Sequence, residues 1–321
     1  MTPGQRVLVT GAGGFIGRWS LAPLRTAGYE VCAVLSQRPR APEDASWGDV
    51  EVRRADLTDL AAIDALMDAV KPTHLLHFAW IATPGLYWRS DENYRWLFAS
   101  RHLLTSFQRH GGTRAVMAGS CAEYDWSRVA VCNERSSPLA LDGASGEPAA
   151  PQAVTPYAAC KIALQRSLEE CGRAHGMSTA WGRIFFQYGP GEHRERLVAS
   201  VIVNLLSGRE AQCTQGRQIR SFLHVEDVGT AFAALLSSGV QGPVNVGSGH
   251  RLSVAELLEQ LACHIGRPEL LKLGARSAPP GEPAELVPDI GRLRDEVGFL
   301  PKWRLDEGLA DTVRWWRRAL A

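Results

Sequence analysis

The sequence predicts an α/β fold in which helices cover both faces of a parallel sheet, and three observations favour it. Short apolar runs alternate with helical patterns over the first two thirds of the chain, which is typical of parallel strands joined by crossover helices. The apolar runs are unbroken, as expected for strands that are buried on both faces. The composition, 45% hydrophobic and 21% charged in 321 residues, is that of a globular protein and excludes collagen, coiled coil and disorder.

Five apolar runs are predicted as strands, at residues 7–10, 31–35, 74–78, 115–118 and 179–185. Helical patterns lie near residues 17–27, 60–70, 94–110 and 156–175, and a closing helix lies near 307–320. From about residue 127 to 154 the chain is rich in Pro, Gly, Ser and Ala, which predicts a long surface loop.

Charge and cysteine usage exclude several classes of protein. Thirty-five Lys and Arg against 34 Asp and Glu give a net charge of +1, which argues against a nucleic-acid partner because phosphate binding needs a basic face. No apolar run approaches the roughly 20 residues needed to cross a bilayer, and the N-terminus lacks a signal-peptide pattern. Seven cysteines without a Cys-x-x-Cys pair indicate reduced thiols, with no disulfide and no metal. We therefore expect a cytoplasmic protein with no membrane partner.

A glycine-rich loop follows the first predicted strand and leads into the first predicted helix. Its candidate residues are Gly11, Gly13, Gly14, Phe15, Ile16 and Gly17. Glycine is needed where the chain turns tightly and where backbone approaches a pyrophosphate, and the helix start offers free N–H groups to that anion. The spacing differs from the usual G-x-G-x-x-G, but the strand–loop–helix context predicts a dinucleotide site and hence a doubly wound parallel sheet of the Rossmann type.

The end of the second predicted strand favours NADP(H) as the cofactor, with NAD(H) as the alternative. NAD-binding proteins place a carboxylate there to bind the ribose hydroxyls. Here the strand runs into Ser36, Arg38 and Arg40, and no acid appears before Glu43. Guanidinium groups bind a 2′-phosphate bidentately, whereas a carboxylate would repel it. The other interpretation is that these arginines belong to a solvated loop.

The domain organisation follows from these patterns. We expect residues 1–178 to form the dinucleotide-binding domain, with a returning segment near 220–247. We expect residues 179–321 to form mainly a smaller C-terminal α/β substrate lobe.

A tyrosine and a lysine one helical turn apart are the candidate catalytic pair. Tyr157 and Lys161 follow Thr155 and Pro156, which suit an N-cap and a first-turn proline, so both side chains project from one helix face. A lysine ammonium near a phenol is expected to lower the phenol's pKa and make it a usable proton donor and acceptor. Ser120 ends an earlier strand and is expected to face the same crevice.

The chain resembles the extended short-chain dehydrogenase/reductase family, in its nucleotide-sugar epimerase, dehydratase and reductase group. The matching segments are residues 10–17, 55–57, 77–79, 120–124, 157–161, 183–190 and 220–227. In character the chain is closest to the 4-keto-sugar nucleotide reductases. The resemblance implies a Rossmann lobe, a C-terminal lobe for a nucleoside-diphosphate sugar, and often a homodimer formed through a four-helix bundle.

The resemblance also assigns expected roles. Asp56 and Leu57 would lie near the adenine, and Phe78 and Ala79 would belong to the cofactor site. Ser120 would hydrogen-bond the reacting oxygen, and Tyr157 and Lys161 would contact the cofactor. Arg220 matches the arginine that binds the diphosphate.

Departures from the family pattern narrow the reaction. Dehydratases of the group carry an Asp-Glu pair directly after the strand-end Ser or Thr, whereas this chain has Cys121 and Ala122, so dehydration is disfavoured. Phe186 replaces a substrate-contacting Asn, and Cys121 and Phe186 are both candidates for the substrate site.

Trp80 is a further candidate for the sugar site, and with Tyr87 and Trp88 it follows the predicted strand at 74–78. Arg196 is another candidate, placed to reach a phosphate. Aromatic residues at such a place also often only pack against each other. For Arg196, a solvated surface position is the other interpretation.

The function predicted from these features is NADPH-dependent reduction of a 4-keto, commonly 6-deoxy, nucleoside-diphosphate sugar to the 4-hydroxy sugar. Net reductases draw on NADPH, whereas epimerases and dehydratases return the hydride they borrow. A nucleotide-sugar 4-epimerase is the main alternative. Reduction of a non-nucleotide carbonyl and a non-catalytic NADP(H)-sensing regulator are the others.

Overall fold

A computed structural model describes residues 4–37, 47–128, 130–136, 154–279 and 281–321. Arg38 and Arg40, and most of the predicted loop at 127–154, lie outside the described residues. The strands of the described part are β1 Arg6–Thr10, β2 Glu30–Leu35, β3 Glu51–Arg54, β4 His74–His77, β5 Arg114–Ser120, β6 Val131–Cys132, β7 Ser178–Ile184, β8 Phe186–Tyr188, β9 Ala211–Gln212, β10 Ile219–Arg220, β11 Phe222–His224, β12 Gly242–Val246, β13 Leu252–Ser253, β14 Leu271–Lys272 and β15 Glu285–Pro288.

The helices alternate with the strands of the first half and dominate the second. They are α1 Arg18–Thr26, α2 Leu60–Val70, α3 Glu92–Arg109, α4 Pro156–His175, α5 Leu197–Leu206, α6 Val225–Ser237, α7 Val254–Ile265 and α8 Leu305–Leu320. Short 3₁₀ turns occur at Cys121–Glu123 and Pro268–Leu270, and a π-helical turn occurs at Arg292–Glu296.

The main sheet has seven strands in the order β12-β7-β5-β4-β1-β2-β3, and every pairing within it is parallel. The predicted α/β fold of the Rossmann type is thereby confirmed. Strand β1 pairs with β2 on one side and β4 on the other, so the strand order reverses there. In open parallel sheets, ligands bind in the crevice at the carboxyl ends of the strands beside such a switch point.

The helices cover both faces of this sheet. Leu21 and Leu24 of α1 and Phe232 of α6 form the core on one face, and Phe107 of α3 and Leu164 of α4 lie in the core on the other. All five side chains are fully buried, and burial of a large apolar side chain contributes about 1.5–3 kcal/mol. The two apolar faces therefore fix the sheet and align the ends of its strands.

The later part of the chain forms a separate apolar cluster and a small sheet. Helices α5, α7 and α8 supply buried residues such as Ile202, Leu258 and Trp316, and a four-stranded sheet has the order β13-β10-β15-β6. The main sheet extends past residue 178, where we placed the domain boundary, because β7 belongs to it, and β12 lies in the segment near 220–247 that we expected to return to this domain. The assignment of residues 179–321 to a substrate lobe stays a prediction.

Candidate active site

The glycine loop is built by close backbone contacts at the carboxyl end of β1. Gly11 has a φ of +67°, and a Cβ at this position would lie 2.8 Å from the backbone nitrogen of Ala79. A Cβ at Gly17 would overlap the carbonyl oxygen of Gly11. Side chains are therefore excluded where the loop meets the segment that carries Phe78 and Ala79. The N-terminus of α1 has no acidic residue in its first turn and no side-chain cap, so its donors suit the pyrophosphate of a dinucleotide.

The adenosine end of the predicted cofactor site lies at the ends of β2 and β3. The Arg54 guanidinium donates a hydrogen bond to the carbonyl oxygen of Ser36 at 3.2 Å. Asp56 is exposed and accepts from the backbone nitrogen of Thr58 at 2.9 Å, whereas Leu57 is buried in the core. Sequence analysis did not include Arg54 among the cofactor residues. Its place at the end of β3, the strand next to β2, was the available signal. The described residues thus hold one arginine beside Ser36.

The structure brings the three predicted catalytic residues together. Ser120 is the last residue of β5, and its hydroxyl oxygen accepts from the backbone nitrogen of Ala122 at 3.2 Å. Tyr157 and Lys161 lie in the first two turns of α4, which begins as predicted with Pro156 after the N-cap Thr155. Because its oxygen is oriented by this backbone contact, the hydroxyl proton of Ser120 is left to donate elsewhere.

Aromatic rings surround Tyr157. Its ring lies edge-on to Tyr87 at 4.9 Å and to Trp88 at 5.5 Å between centroids. Trp88 in turn contacts Trp126 at 6.2 Å. Burial raises the pKa of Tyr157, and a hydrogen bond with Ser120 only partly offsets this. The pKa of Tyr157 is therefore raised and not lowered as expected, because its surroundings disfavour the phenolate and Lys161 is not among the groups that shift it.

The ammonium of Lys161 points at the sheet and at Trp80. It donates to the carbonyl oxygen of Ala118 at 2.9 Å and lies 3.9 Å from the centroid of the Trp80 ring. Its distance to the centroid of the Tyr157 ring is 6.0 Å. Burial lowers the pKa of Lys161 to about 7, and the negative charge of Glu123 acts in the opposite direction. The lysine can therefore exchange its proton near neutral pH.

A buried carboxylate that sequence analysis did not place in the site holds the end of β5. Glu123 is fully buried, and its Oε1 accepts from the backbone nitrogen of Ser120 at 2.6 Å. Its Oε2 accepts from the indole of Trp181 and the guanidinium of Arg183, each at 2.9 Å. Glu123 thus faces the core and fixes the backbone that carries Ser120. Its distance of three residues from Ser120, typical of a capping box, was the available signal.

Three of the predicted substrate residues converge beside this trio. Cys121 is buried in a cluster that includes Phe186, and burial raises the pKa of its thiol to about 12. The buried guanidinium of Arg220 lies 5.4 Å from the centroid of the Phe186 ring and forms an ion pair with Glu282 at 3.0 Å. The charge of Arg220 also acts on the Cys121 thiol. The wall next to Ser120 is therefore apolar, with one cation behind it.

Residues 7–247 match the family described as the NAD dependent epimerase/dehydratase family. The chain belongs to this family. A dTDP-4-dehydro-6-deoxy-D-allose reductase of Streptomyces bikiniensis is 26% identical to it, and the match covers 98% of this chain and 97% of the relative. A dTDP-glucose 4,6-dehydratase of Streptomyces niveus is 30% identical, with 98% and 93% covered.

A solved structure is similar over the whole fold. The UDP-glucose 4-epimerase of Thermus thermophilus, in complex with NAD, is 26% identical, with 98% of this chain and 99% of that chain covered and a TM-score of 0.76. The relatives of this epimerase/dehydratase family member are thus a reductase, a dehydratase and an epimerase by name. Their names all specify a nucleotide-linked sugar, and they differ in the reaction.

Arg196, a further substrate candidate of this family member, contacts an aromatic ring of the site. Its guanidinium lies 5.6 Å from the centroid of the Tyr87 ring and hydrogen-bonds the Tyr87 hydroxyl. Burial raises the pKa of Tyr87. The charge of Arg196 and, to a smaller extent, this hydrogen bond lower it. Next to Arg196, Glu192 is buried, and burial raises the pKa of its carboxyl to about 8. Glu192 was missed by sequence analysis. The charge of Arg196 also acts on Glu192, and Tyr87, the ring that Arg196 contacts, packs against Tyr157.

Two kinds of feature are absent from the described residues, which have gaps at 38–46, 129, 137–153 and 280. None of their His, Cys, Asp and Glu side chains form a group of three that could hold a metal ion. None of their helices combines the length and the apolar character needed to cross a membrane.

Proposed function

We propose that this chain uses NADPH to reduce the C4 keto group of a 4-keto, commonly 6-deoxy, nucleoside-diphosphate sugar to a hydroxyl. The observation that carries the proposal is the meeting of Ser120, Tyr157 and Lys161 beside the glycine loop, with Cys121 and Ala122 directly after the serine. A thiol of raised pKa and a methyl group cannot eliminate water by acid–base chemistry. The reductase among the relatives, whose name specifies a dTDP-4-dehydro-6-deoxy sugar, supports the same substrate class.

The proposed roles follow from the geometry. Bound NADPH supplies the hydride for C4. Tyr157 gives its phenolic proton to the carbonyl oxygen, and Ser120 donates a hydrogen bond to the same oxygen. Lys161 stabilises the phenolate that remains after the proton has left. Burial keeps Tyr157 protonated before the reaction, which suits an enzyme that begins by donating a proton.

The test is a coupled measurement of reductant and product. Purified protein is mixed with 4-keto-6-deoxy sugar nucleotides that differ in the base, and NADPH oxidation is followed by the loss of absorbance of the reduced nicotinamide. Nuclear magnetic resonance of the product then identifies the new C4 hydroxyl and its configuration. Equal amounts of NADPH consumed and 4-hydroxy sugar formed are expected. Conversion of the sugar without net NADPH consumption would contradict the proposal.

Cofactor preference gives a second, separate prediction. Arg38→Ala and Arg40→Ala are each expected to lower the ratio of kcat/KM for NADPH over NADH by about tenfold or more, since a charged hydrogen bond to phosphate contributes about 1.5–3 kcal/mol. Arg54, at the end of β3 beside Ser36, is proposed as a further contact, so Arg54→Ala should act in the same direction. Arg53→Ala is the matched control, because Arg53 pairs with Glu51. An unchanged preference in all three test variants would refute NADP(H) specificity and leave NAD(H).

A 4-epimerase is the second candidate, and the likeness to the Thermus thermophilus UDP-glucose 4-epimerase favours it. An epimerase needs Tyr157 first as a base, which the raised pKa of its phenol opposes. The two candidates differ in one simple observation. An epimerase retains its cofactor through purification and interconverts 4-hydroxy sugar nucleotides without added reductant.

We also propose a homodimer formed through a four-helix bundle, as the family resemblance implies, with α3 as one of its helices. Phe98 and Tyr94 of α3 are exposed by 72% and 48%, and exposed aromatic residues on one helix face favour an interface. Phe98→Glu is expected to convert a dimer to a monomer, as measured by light scattering after gel filtration. Phe98→Leu, which keeps an apolar side chain, is the control. A wild-type protein that is already monomeric at working concentration would refute the dimer.

A further inference from the structure

We propose that Trp80 is a positioning residue. Its indole face keeps the Lys161 ammonium charged and holds it beside the carboxyl end of β5. This differs from the sugar contact that the sequence predicts for Trp80. The effect of Trp80 on catalysis rests on the proposed function. The contact between Trp80 and Lys161 does not, because it forms within the protein itself.

The contact is short and both partners are fixed. The Lys161 ammonium lies 3.9 Å from the centroid of the Trp80 ring, and Lys161 is only 4% exposed. The Trp80 indole N–H donates to Oδ1 of Asn93 at 2.8 Å, and the Asn93 amide donates to the carbonyl oxygens of Tyr87 and Ser90. Asn93 is itself fully buried. The ring is thus held at its edge while its face is turned to the cation.

The lysine is short of negative charge on its other sides. Glu123 is the nearby carboxylate that favours the ammonium, but its two oxygens already accept from Ser120, Trp181 and Arg183. Of the other titratable neighbours, Tyr157, Cys160 and His77, burial raises the pKa of the first two and lowers that of His77 to about 3, so all three are neutral.

A cation that is buried without an ion-pair partner is stabilised by an aromatic face, because the ring quadrupole presents negative charge to it. The effect is larger away from water than at a surface. Trp80 therefore opposes the desolvation that would otherwise deprotonate Lys161. A charged Lys161 at neutral pH is what the proposed mechanism needs to stabilise the Tyr157 phenolate. Trp80 acts on the reaction through Lys161 and not by contact with the reacting atoms.

The experiment measures Lys161 directly and needs neither substrate nor cofactor. The chain has four lysines, at 71, 161, 272 and 302, so protein labelled with ¹³C at the lysine ε-carbon gives few signals, and Lys161→Met assigns the one of interest. In Trp80→Leu the signal is expected to titrate about one pH unit lower than in the wild type, a tenfold change in the protonation equilibrium. Trp80→Phe keeps an aromatic face and is expected to restore most of the difference.

Controls separate the ring face from packing. Trp96 lies against Trp80 at 6.4 Å between centroids, and Trp96→Leu is expected to leave the Lys161 titration unchanged. Should Trp80→Leu not fold, incorporation of fluorinated tryptophan in the wild-type chain weakens the ring quadrupole at constant shape, and the Lys161 pKa should fall with the number of fluorines. An unchanged or raised Lys161 pKa in either experiment would overturn the inference. Absence of carbonyl reduction would refute the proposed function and leave this titration untouched.

Discussion

Tyr157→Phe is expected to lower kcat by two to four orders of magnitude, the range by which a positioned general acid accelerates proton transfer. The phenylalanine ring keeps the edge-on contacts with Tyr87 and Trp88, so the fold and the pocket wall stay in place. The variant loses the hydroxyl that hydrogen-bonds Ser120 and that, in the proposed mechanism, carries the transferred proton. The measurement is single-turnover NADPH oxidation at saturating sugar nucleotide.

The matched control for this variant is Tyr29→Phe. Tyr29 directly precedes β2, at the amino ends of the strands, with its ring 5.1 Å from that of His74, and removal of its hydroxyl is expected to leave kcat unchanged. The dissociation constant for NADPH, measured by nucleotide fluorescence, should stay within a few-fold in Tyr157→Phe. A Tyr157→Phe enzyme that turns over at the wild-type rate would remove Tyr157 from the role of proton donor.

Local sequence signals predicted the elements that present the site. Helix α4 begins and ends as predicted because Thr155 caps it, Pro156 occupies its first turn and Gly176 adopts a left-handed conformation after it. The glycine loop was predicted because its residues and its strand–loop–helix context coincide. Where capping residues and apolar periodicity agree, the local sequence alone determines where a helix begins and ends.

Features that depend on tertiary contacts could not be predicted in this way. Strand β3 was missed because it is an edge strand with the polar sequence EVRR, half exposed and paired on one side. Strand β12 lies in the predicted returning segment but was not predicted as a strand, because it begins with Gly242 and Pro243 and pairs with β7, which is distant in sequence. The protonation of Tyr157 depends on rings from a distant loop, so the local Tyr-Lys spacing indicated the wrong direction of its pKa.

Arg183→Met is expected to destabilise the protein by about 3–5 kcal/mol, the cost of leaving one charge of a buried ion pair without its partner. Arg183 is only 4% exposed and Glu123 is fully buried. Their charged atoms are 2.9 Å apart. Urea-induced unfolding followed by tryptophan fluorescence gives the free energy of unfolding. Because Glu123 also holds the backbone nitrogen of Ser120, kcat should fall as well, which a pair that served stability alone would not cause.

The pH dependence and a second substitution test the cause of this destabilisation. Without the guanidinium, the pKa of Glu123, which burial already raises, rises further above its value in the unfolded chain. Native Glu123 then binds a proton more tightly than the unfolded state does, so Arg183→Met should regain stability relative to the wild type as the pH falls toward 5. Adding Glu123→Gln removes the unpaired charge, and the double variant is expected to be more stable than Arg183→Met at pH 8. If the single and double variants unfold at the same urea concentration at every pH, the loss comes from the packing of Arg183 against Tyr124 (4.5 Å from guanidinium to ring centroid) and the ion pair does not hold the strand end.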